Sequence, residues 1–183
     1  TYSMRTLAYH EATPGHHHQI AHSLENKDLT LYRRFGYFTS AFAEGWALYS
    51  EILALEAGLA ENPYDELGIL QSELFRAVRL VVDTGMHYKR WTREEAMEYM
   101  KSKTGMSDTE VRVEIERYIV WPGQALSYKV GMIKILELRE KAINELGDKF
   151  DIKDFHSAVL DHGNPPLFIV EEMVNNMISQ ALD

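Results

Sequence analysis

The sequence predicts an all-α protein, because apolar residues recur at helical spacing along nearly the whole chain. Helix-start signals and glycine or proline breaks divide this pattern into segments of ordinary helix length. No two segments show the strict alternation of apolar and polar residues that is typical of paired β-strands. Because internal repeats and low-complexity linkers are also absent, residues 1–183 are predicted to form a single helical domain of about seven helices.

Capping signals indicate the helix boundaries. The predicted helices span about residues 39–58, 62–88, 92–102, 107–119 and 124–146, followed by a short helix from Asp151 or Asp154 and a last helix at the C-terminus. Two of them begin with the Ser/Thr-x-x-Glu pattern of a capping box, at Thr92 and at Ser107. Asn62-Pro63 combines an N-cap residue with a proline at the first helical position.

The composition excludes several functional classes. The formal net charge is −9 and the basic residues are scattered, which argues against nucleic acid and against an anionic membrane surface as partners. The absence of cysteine excludes disulfides and cysteine-based sites, so a metal would have to bind to histidine and carboxylate groups. No apolar run approaches the roughly 20 residues of a membrane-spanning helix.

The sequence contains no recognisable signal peptide, but it begins at Thr1 rather than at methionine. We therefore expect a processed product or a fragment, and a cytoplasmic or a periplasmic location stays open. If the chain is a fragment, the upstream part of the parent protein is expected to complete the substrate cleft.

The chemically informative segment is His10-Glu11-Ala12-Thr13-Pro14-Gly15-His16-His17-His18, which holds four of the eight histidines. A His-Glu pair followed by another histidine on a helix is typical of zinc peptidases. In such sites two imidazoles bind the metal, and the glutamate activates a water molecule. The alternatives are a surface histidine cluster or the remnant of a purification tag, but a tag would contain neither His10 nor the residues that follow it.

The spacing of these histidines differs from the usual four residues. His16 and His17 follow His10 by six and seven residues, and positions seven apart on a straight helix are separated by roughly 10 Å along its axis. Zinc–nitrogen bonds are about 2.1 Å long, so a straight helix cannot place both rings on one ion. Pro14 lacks the N–H that would bond the His10 carbonyl, and Gly15 follows it, so a bulge or break is predicted. His16 is the preferred second ligand because it follows the flexible glycine directly, and His17 is the alternative.

A third ligand is expected from a neighbouring helix. Glu44 is a lone carboxylate within an apolar stretch, and a buried carboxylate is costly unless it is paired or bound to a metal. Gly45 beside it would let another backbone approach closely. Glu51 lies two turns later on the same face; it could support the ligands, but a solvent-facing acid is the favoured interpretation.

The four motifs HEATPGHHHQ, AFAEGWALYSE, VDTGMHYKRW and RYIVWPGQALSYKVG resemble, in this order, the bacterial family called domain of unknown function 885. The resemblance extends over essentially the whole chain, but it covers only the C-terminal portion of the family's longer proteins. That family is grouped with zinc peptidases of the thimet-oligopeptidase and carboxypeptidase-Taq type, which have a His-Glu-x-x-His helix and a downstream glutamate. This chain departs from their pattern by a two-residue insertion that carries Pro14 and Gly15.

The resemblance implies a mostly helical, zincin-like fold with one zinc ion in a deep cleft. It implies that His10 and His16 (or His17) are metal ligands, that Glu44 is the third ligand, and that Glu11 is the general base. A peptide is the substrate that the resemblance indicates.

Further candidates lie later in the chain. Tyr128 is the choice for stabilising an oxyanion, because a phenol can donate a hydrogen bond in a cleft without carrying charge. Gln124, one turn earlier, is a candidate for binding substrate backbone, and Arg117 for binding a substrate carboxylate. His87, one turn after Asp83, is a second candidate donor that this aspartate could orient. A core or helix-surface role is the competing interpretation for each of them.

The leading hypothesis is therefore a zinc-dependent hydrolase, in the first place a metallopeptidase, with Glu11 passing a proton from water to the leaving amine. A deacylase or another amidase would use the same groups. A non-catalytic metal-binding or interaction module is the second class. A di-iron carboxylate protein is disfavoured, because no glutamate in the sequence has a histidine three residues later. His156 and His162 are interpreted as surface or turn histidines.

Overall fold

Most of the described backbone is helical, as the sequence predicts. The computed structural model describes residues 3–36 and 38–183, and within them it has nine α-helices and no strand. The helices are α1 (Met4–Glu11), α2 (His16–Glu25), α3 (Ser40–Glu56), α4 (Pro63–His87), α5 (Arg93–Thr104), α6 (Asp108–Val120), α7 (Ser127–Leu146), α8 (Ile152–Leu160) and α9 (Leu167–Leu182). None of these helices is both long enough and apolar enough to cross a membrane.

The helix starts follow the predicted caps. Thr92 and Ser107 each accept a hydrogen bond from the backbone of the glutamate three residues later, and each glutamate bonds back, which completes both capping boxes. Asn62 caps α4, whose first residue is proline. Asp151, one of the two residues predicted to begin the short helix before the last one, caps α8: its side chain accepts a hydrogen bond from the amide of Lys153.

The number of helices and one boundary differ from the prediction. The predicted break in the histidine-rich segment separates two helices, α1 and α2, and the described residues thus form more helices than the expected seven or so. The helix predicted from residue 124 begins instead at Ser127, because residues Gln124–Leu126 form a 3-10 turn after Gly123. Gly123 has a φ of 81°, which favours glycine and turns the chain sharply before α7.

The apolar core has two parts. The larger part joins α3, α7, α8 and α9, with Phe42 and Tyr49 of α3 completely buried. The smaller part joins α4, α5 and α6 around Val82, Met100 and Ile115. Helices α3 and α7 make the most extensive contact between any two described elements.

Glycines allow this close contact. A Cβ atom on Gly45 would lie 2.5 Å from the backbone of Gly131, and one on Gly131 would lie 1.8 Å from the carbonyl oxygen of Ala41. The expected close backbone approach at Gly45 is therefore present. Gly45 follows Glu44 in α3, and Gly131 lies three residues after Tyr128 in α7. The close contact of the two helices therefore brings the side chains of Glu44 and Tyr128 to the same region.

Candidate metal centre

The helix breaks between His10 and His16, as predicted. Helix α1 ends at Glu11 and α2 begins at His16, and the amide of His18 reaches back to the carbonyl of Ala12 at 3.2 Å. Gly15 packs directly on the end of α1, where a Cβ atom would lie only 1.8 Å from the carbonyl oxygen of His10. The intervening residues thus fold into a compact bulge instead of extending the helix.

A contact with α3 holds this bulge in place. The indole Nε1 of Trp46 donates a hydrogen bond to the carbonyl oxygen of Pro14 at 2.8 Å. Trp46 is almost completely buried and lies two residues after Glu44. The same segment of α3 therefore positions both the bulge and the acidic side chain.

Three side chains converge at this point. His16 Nε2 lies 3.1 Å and His10 Nε2 lies 3.8 Å from Glu44 Oε2. The two imidazole rings meet edge to face, with centroids 4.9 Å apart. One ligand atom from each of the three residues lies within 4.8 Å of the others. The structure therefore brings together the preferred set of ligands.

The donor set fits a zinc ion in its chemistry and approximately in its spacing. Two atoms that each lie about 2.0–2.1 Å from a tetrahedral zinc ion are roughly 3.3 Å apart. The separations of 3.1 and 3.8 Å from Glu44 Oε2 bracket this value. Two neutral imidazoles with one carboxylate are a common ligand set of catalytic zinc sites, which leave one coordination position open.

A second layer of polar groups lies behind His10. His10 Nδ1 lies 2.8 Å from Glu51 Oε1, and the hydroxyl of Thr6 donates to Glu51 Oε2 at 2.9 Å. The interpretation of Glu51 as a solvent-facing acid is wrong, because its side chain is only 2% exposed. Helical periodicity placed it on the face of Glu44, but it did not show that α1 covers that face.

The local electrostatics favour a charged carboxylate at Glu44. Burial alone would raise the pKa of Glu44, but its interactions with His10, His16 and Tyr128 outweigh burial and lower the pKa to about 2. Burial alone would lower the pKa of His10, but its interactions with Glu44 and Glu51 outweigh burial and raise the pKa instead. The ionised acid is the form that binds a metal.

The other polar side chains of the histidine-rich segment lie at the surface. Glu11 and His17 are both exposed, and the carboxylate of Glu11 makes no hydrogen bond or ion pair with any described residue. The structure thus places His16, and not His17, beside His10 and Glu44. Glu11 directly follows His10, at the last position of α1.

Tyr128 lies at the centre of the neighbouring polar groups. Its ring stacks on that of His10 with centroids 6.1 Å apart, and 8% of the residue is exposed. Tyr128 lowers the pKa of Glu44 and raises the pKa of Arg117. This predicted site residue is therefore part of the cluster.

Gln124 and Arg117 lie next to each other and near Tyr128. The side-chain oxygen of Gln124 accepts from Arg117 at 3.0 Å and from Arg79 at 3.3 Å. His87, in contrast, lies at the end of α4, and its Nε2 contacts the carbonyl of Tyr118 at 2.9 Å. The suggested pair of Asp83 with His87 does not form.

Asp83 instead accepts a hydrogen bond from the amide of Gly123, at 3.0 Å. His87 is thereby left at the C-terminal end of α4, where it contacts α6. The structure does not bring it together with His10, His16 and Glu44.

The model of the family described as "Bacterial protein of unknown function (DUF885)" matches residues 1–174. The chain belongs to this family. No curated protein matches the chain.

Two solved structures resemble this DUF885 chain closely. A crystal structure of a "putative lipoprotein" from Colwellia psychrerythraea has a TM-score of 0.94 and is 54% identical, over 98% of this chain and 31% of its own. A "putative lipoprotein of unknown function" from Shewanella oneidensis has a TM-score of 0.87 and is 28% identical, over 95% of this chain and 32% of its own. The DUF885 chain thus spans about a third of the length of these relatives.

Two arginines near the site were not predicted from the sequence. Arg76 and Arg79 lie on α4, and their guanidinium carbons are 5.6 Å and 4.1 Å from the centroid of the Tyr128 ring. A signal for Arg79 exists in this DUF885 sequence: it shares a helical face with the apolar residues Phe75 and Val82. A cation on a buried face is unusual and often has a specific partner.

Proposed function

We propose that this chain carries the metal-binding part of a zinc-dependent hydrolase that cleaves peptide bonds. The observation that carries the proposal is the convergence of His10, His16 and Glu44 across the bulge, with Glu51 supporting His10 from behind. A surface histidine cluster, the competing interpretation, does not explain why His10 is buried against the carboxylates of Glu44 and Glu51. A buried imidazole that contacts a second acid through its other nitrogen is the usual arrangement of a zinc ligand.

Each residue has a distinct role in this proposal. A zinc ion held by His10, His16 and Glu44 would supply Lewis acidity for the attack of water on an amide carbonyl. Glu11 accepts the proton of the attacking water and passes it to the leaving amine. Its carboxylate is suited to this role because it is exposed and has no hydrogen-bond partner among the described residues.

Tyr128 is proposed to stabilise the developing oxyanion. Its phenol lies beside Glu44, and it can donate a hydrogen bond without adding a charge. The stacking of its ring on His10 fixes its position before a substrate binds. A donor that is already oriented needs little reorganisation in the transition state.

Among zinc peptidases, the proposed arrangement is similar to the thimet-oligopeptidase and carboxypeptidase-Taq type. The bulge that carries Pro14 and Gly15 would allow two histidines with a longer spacing in the sequence to bind the same zinc ion. Because the chain spans about a third of its structural relatives, we further propose that the remaining part of a longer protein completes the substrate cleft.

The proposal is tested by zinc analysis and peptide hydrolysis on the protein at its full natural length. Glu11→Gln should retain zinc and lose at least about a hundredfold in kcat, since general-base catalysis contributes about 10²–10⁴-fold. Glu25→Gln, on the exposed end of α2, is the matched control and should behave as the wild type. If Glu11→Gln cleaves peptides at the wild-type rate, or if the wild type binds zinc but cleaves no amide, the hydrolase proposal fails.

A further inference from the structure

Three arginines surround Tyr128 next to the candidate metal centre. The guanidinium carbons of Arg79 and Arg76 lie 4.1 Å and 5.6 Å from the centre of its ring, and Arg117 is linked to Arg79 through the side-chain oxygen of Gln124. We call Arg76, Arg79 and Arg117 the arginine group. Such a concentration of positive charge is unexpected in a chain with a formal net charge of −9.

The charge of the arginine group is only partly balanced by acids of the described residues. Arg76 lies 3.9 Å from Glu51, and Arg117 lies 3.8 Å from Glu114. Arg79 has no ion pair with any acid in residues 3–36 and 38–183, although only 2% of it is exposed. One buried positive charge therefore lacks an anion.

The contacts of Arg79 compensate for this only in part. Its guanidinium packs against the rings of Phe75, Tyr118 and Tyr128, with distances of 5.4, 5.1 and 4.1 Å to their centroids. Its Nε is buried without a hydrogen-bond acceptor. Cation–π contacts stabilise a guanidinium, but they leave its N–H groups unsatisfied. An anionic ligand nearby would supply what the aromatic rings do not.

Gln124 connects the buried member of the group with the accessible one. Its side-chain oxygen accepts from both Arg79 and Arg117. The side chain of Arg117 is 37% exposed, so it is the member that a ligand can reach directly. Arg79 is buried and adds positive charge next to Arg117, and the hydrogen bond to the side-chain oxygen of Gln124 orients the guanidinium of Arg117.

The arginine group lies close to the candidate metal ligands. The Tyr128 ring is stacked on that of His10 with centroids 6.1 Å apart, and the guanidinium carbon of Arg79 lies 4.1 Å from the centroid of the same Tyr128 ring. An extended peptide advances about 3.3–3.6 Å per residue. A residue next to a scissile amide at the metal is therefore within reach of the arginine group.

There is also open space beside Arg76. Arg76 and Phe75 line a cavity of about 290 Å³, together with Thr6 and Glu51. Such a cavity can hold a side chain or a short stretch of a bound molecule. Of the arginine group, Arg76 lines this cavity, on the side of Thr6 and Glu51, which support His10.

We propose that the arginine group binds a carboxylate of the substrate, one residue beyond the amide that is cleaved. This inference rests on the proposed hydrolase function and specifies its substrate class as peptides with an anionic group at that position. The carboxylate belongs either to the C-terminus of the peptide or to an acidic side chain. Arg117 binds it directly, as guanidinium groups bind carboxylates with two parallel hydrogen bonds.

Three peptides of matched sequence test the proposal on the protein at its full natural length. The first ends in a free carboxylate one residue after the scissile bond, the second ends there in an amide, and the third is the amide with glutamate at that residue. We expect kcat/KM for at least one carboxylate peptide to exceed that of the plain amide by about ten- to a hundredfold, the usual worth of a hydrogen bond to a charged group. A preference for the first peptide identifies the chain terminus as the source, and a preference for the third identifies a side chain.

Variants of Arg117 show whether the arginine group causes the preference. Arg117→Gln should abolish the preference and leave the zinc content unchanged, and Arg117→Lys should restore part of the preference. Arg112→Gln, an exposed arginine on the same helix, is the control and should keep the wild-type preference. Calorimetric titration with N-acetylphenylalanine and its amide, with and without zinc, gives a second measurement that does not depend on turnover.

The outcomes separate this inference from the function on which it rests. If all three peptides are cleaved with equal kcat/KM, or if Arg117→Gln keeps the preference, the carboxylate site is wrong while the hydrolase stands. If no peptide is cleaved but the acetylated amino acid binds at least tenfold more tightly than its amide, and Arg117→Gln removes this difference, the anion site stands without the hydrolase. If neither cleavage nor a charge preference in binding is observed, both proposals fail.

Discussion

His10 Nδ1 lies 2.8 Å from Glu51 Oε1, and both side chains are almost completely buried. With Nδ1 occupied in this way, Nε2 is the nitrogen that faces Glu44, at 3.8 Å from its carboxylate. The hydroxyl of Thr6 holds the other oxygen of Glu51. The orientation of a proposed ligand is therefore set by two residues that do not contact the proposed ion.

This relationship makes Glu51 a positioning residue that can be tested. Glu51→Gln keeps the size of the side chain but removes the charge that orients the imidazole, and we expect it to weaken zinc binding by about 10–100-fold. Competition with a chromophoric chelator measures the affinity. Glu56→Gln, at the end of the same helix, removes only a partly exposed ion pair with Arg139 and should leave the affinity unchanged. Wild-type affinity in Glu51→Gln would show that the contact has no role at the metal.

The choice between the two adjacent histidines gives a second prediction. His16 faces Glu44 at 3.1 Å, whereas His17 is exposed. We expect His16→Ala to lose stoichiometric zinc in elemental analysis and His17→Ala to retain it. The reverse result would mean that the bulge presents the other ring to the ion.

The bulge itself can be tested at Gly15. A methyl group there would lie 1.8 Å from the carbonyl oxygen of His10, so Gly15→Ala must displace the backbone next to a proposed ligand. We expect zinc binding to be lost or severely weakened.

Gly58→Ala is the control for this experiment. Gly58 has a φ of 72° and no atom close to the position of a Cβ, so its substitution strains the backbone without touching the site. It should lower the free energy of unfolding by about 1–2 kcal/mol and leave zinc binding intact. Equal zinc affinity in Gly15→Ala and the wild type would contradict the close packing of the bulge on α1.

A fourth prediction concerns His156, which is half-buried and not a surface residue as expected from the sequence. Its Nε2 lies 2.9 Å from the Tyr49 hydroxyl, and burial, together with the charge of Arg139, lowers its pKa from 6.5 to about 4. The imidazole of His156 therefore binds a proton more readily in the unfolded chain than in the folded chain. The stabilisation of the folded state by neutral His156 is complete above about pH 6.5 and is lost as the pH falls towards 4.

Urea unfolding at several pH values measures this effect. His156→Gln keeps a hydrogen-bond acceptor for Tyr49 but does not titrate, so its free energy of unfolding should fall less between pH 6.5 and 4 than that of the wild type. Carboxylates titrate in both proteins and cancel in the comparison. Parallel curves for the two proteins would show that His156 does not contribute to the pH dependence.

Local sequence signals predicted much of the fold and part of the candidate site. The capping boxes at Thr92 and Ser107 fix helix starts because their hydrogen bonds lie within four residues. The break near Pro14 was predictable for the same reason, since a proline removes a specific bond to His10. Glu44 was recognisable as a single acid in an apolar stretch.

Features that depend on contacts between distant helices were not predictable. Glu51 is buried because α1 and α4 cover its face of α3, and His156 because it packs against the rings of Trp46 and Tyr49. Arg79 and Arg117 meet at Gln124 only because α4, α6 and the turn before α7 come together. Periodicity assigns a residue to a face of its own helix, but it does not say which other helix lies against that face.

The contact between Gly45 and Gly131 determines which core substitutions should affect the candidate site. Because backbone meets backbone there, the separation of Glu44 from Tyr128 depends on two bare main chains and hardly on the bulk of the surrounding apolar side chains. Substitutions that alter the volume of the larger core would then change thermal stability but keep the separation between the Glu44 carboxylate and the Tyr128 phenol. A single methyl at either glycine would do the opposite, moving the two helices apart and uncoupling the site from an otherwise intact fold.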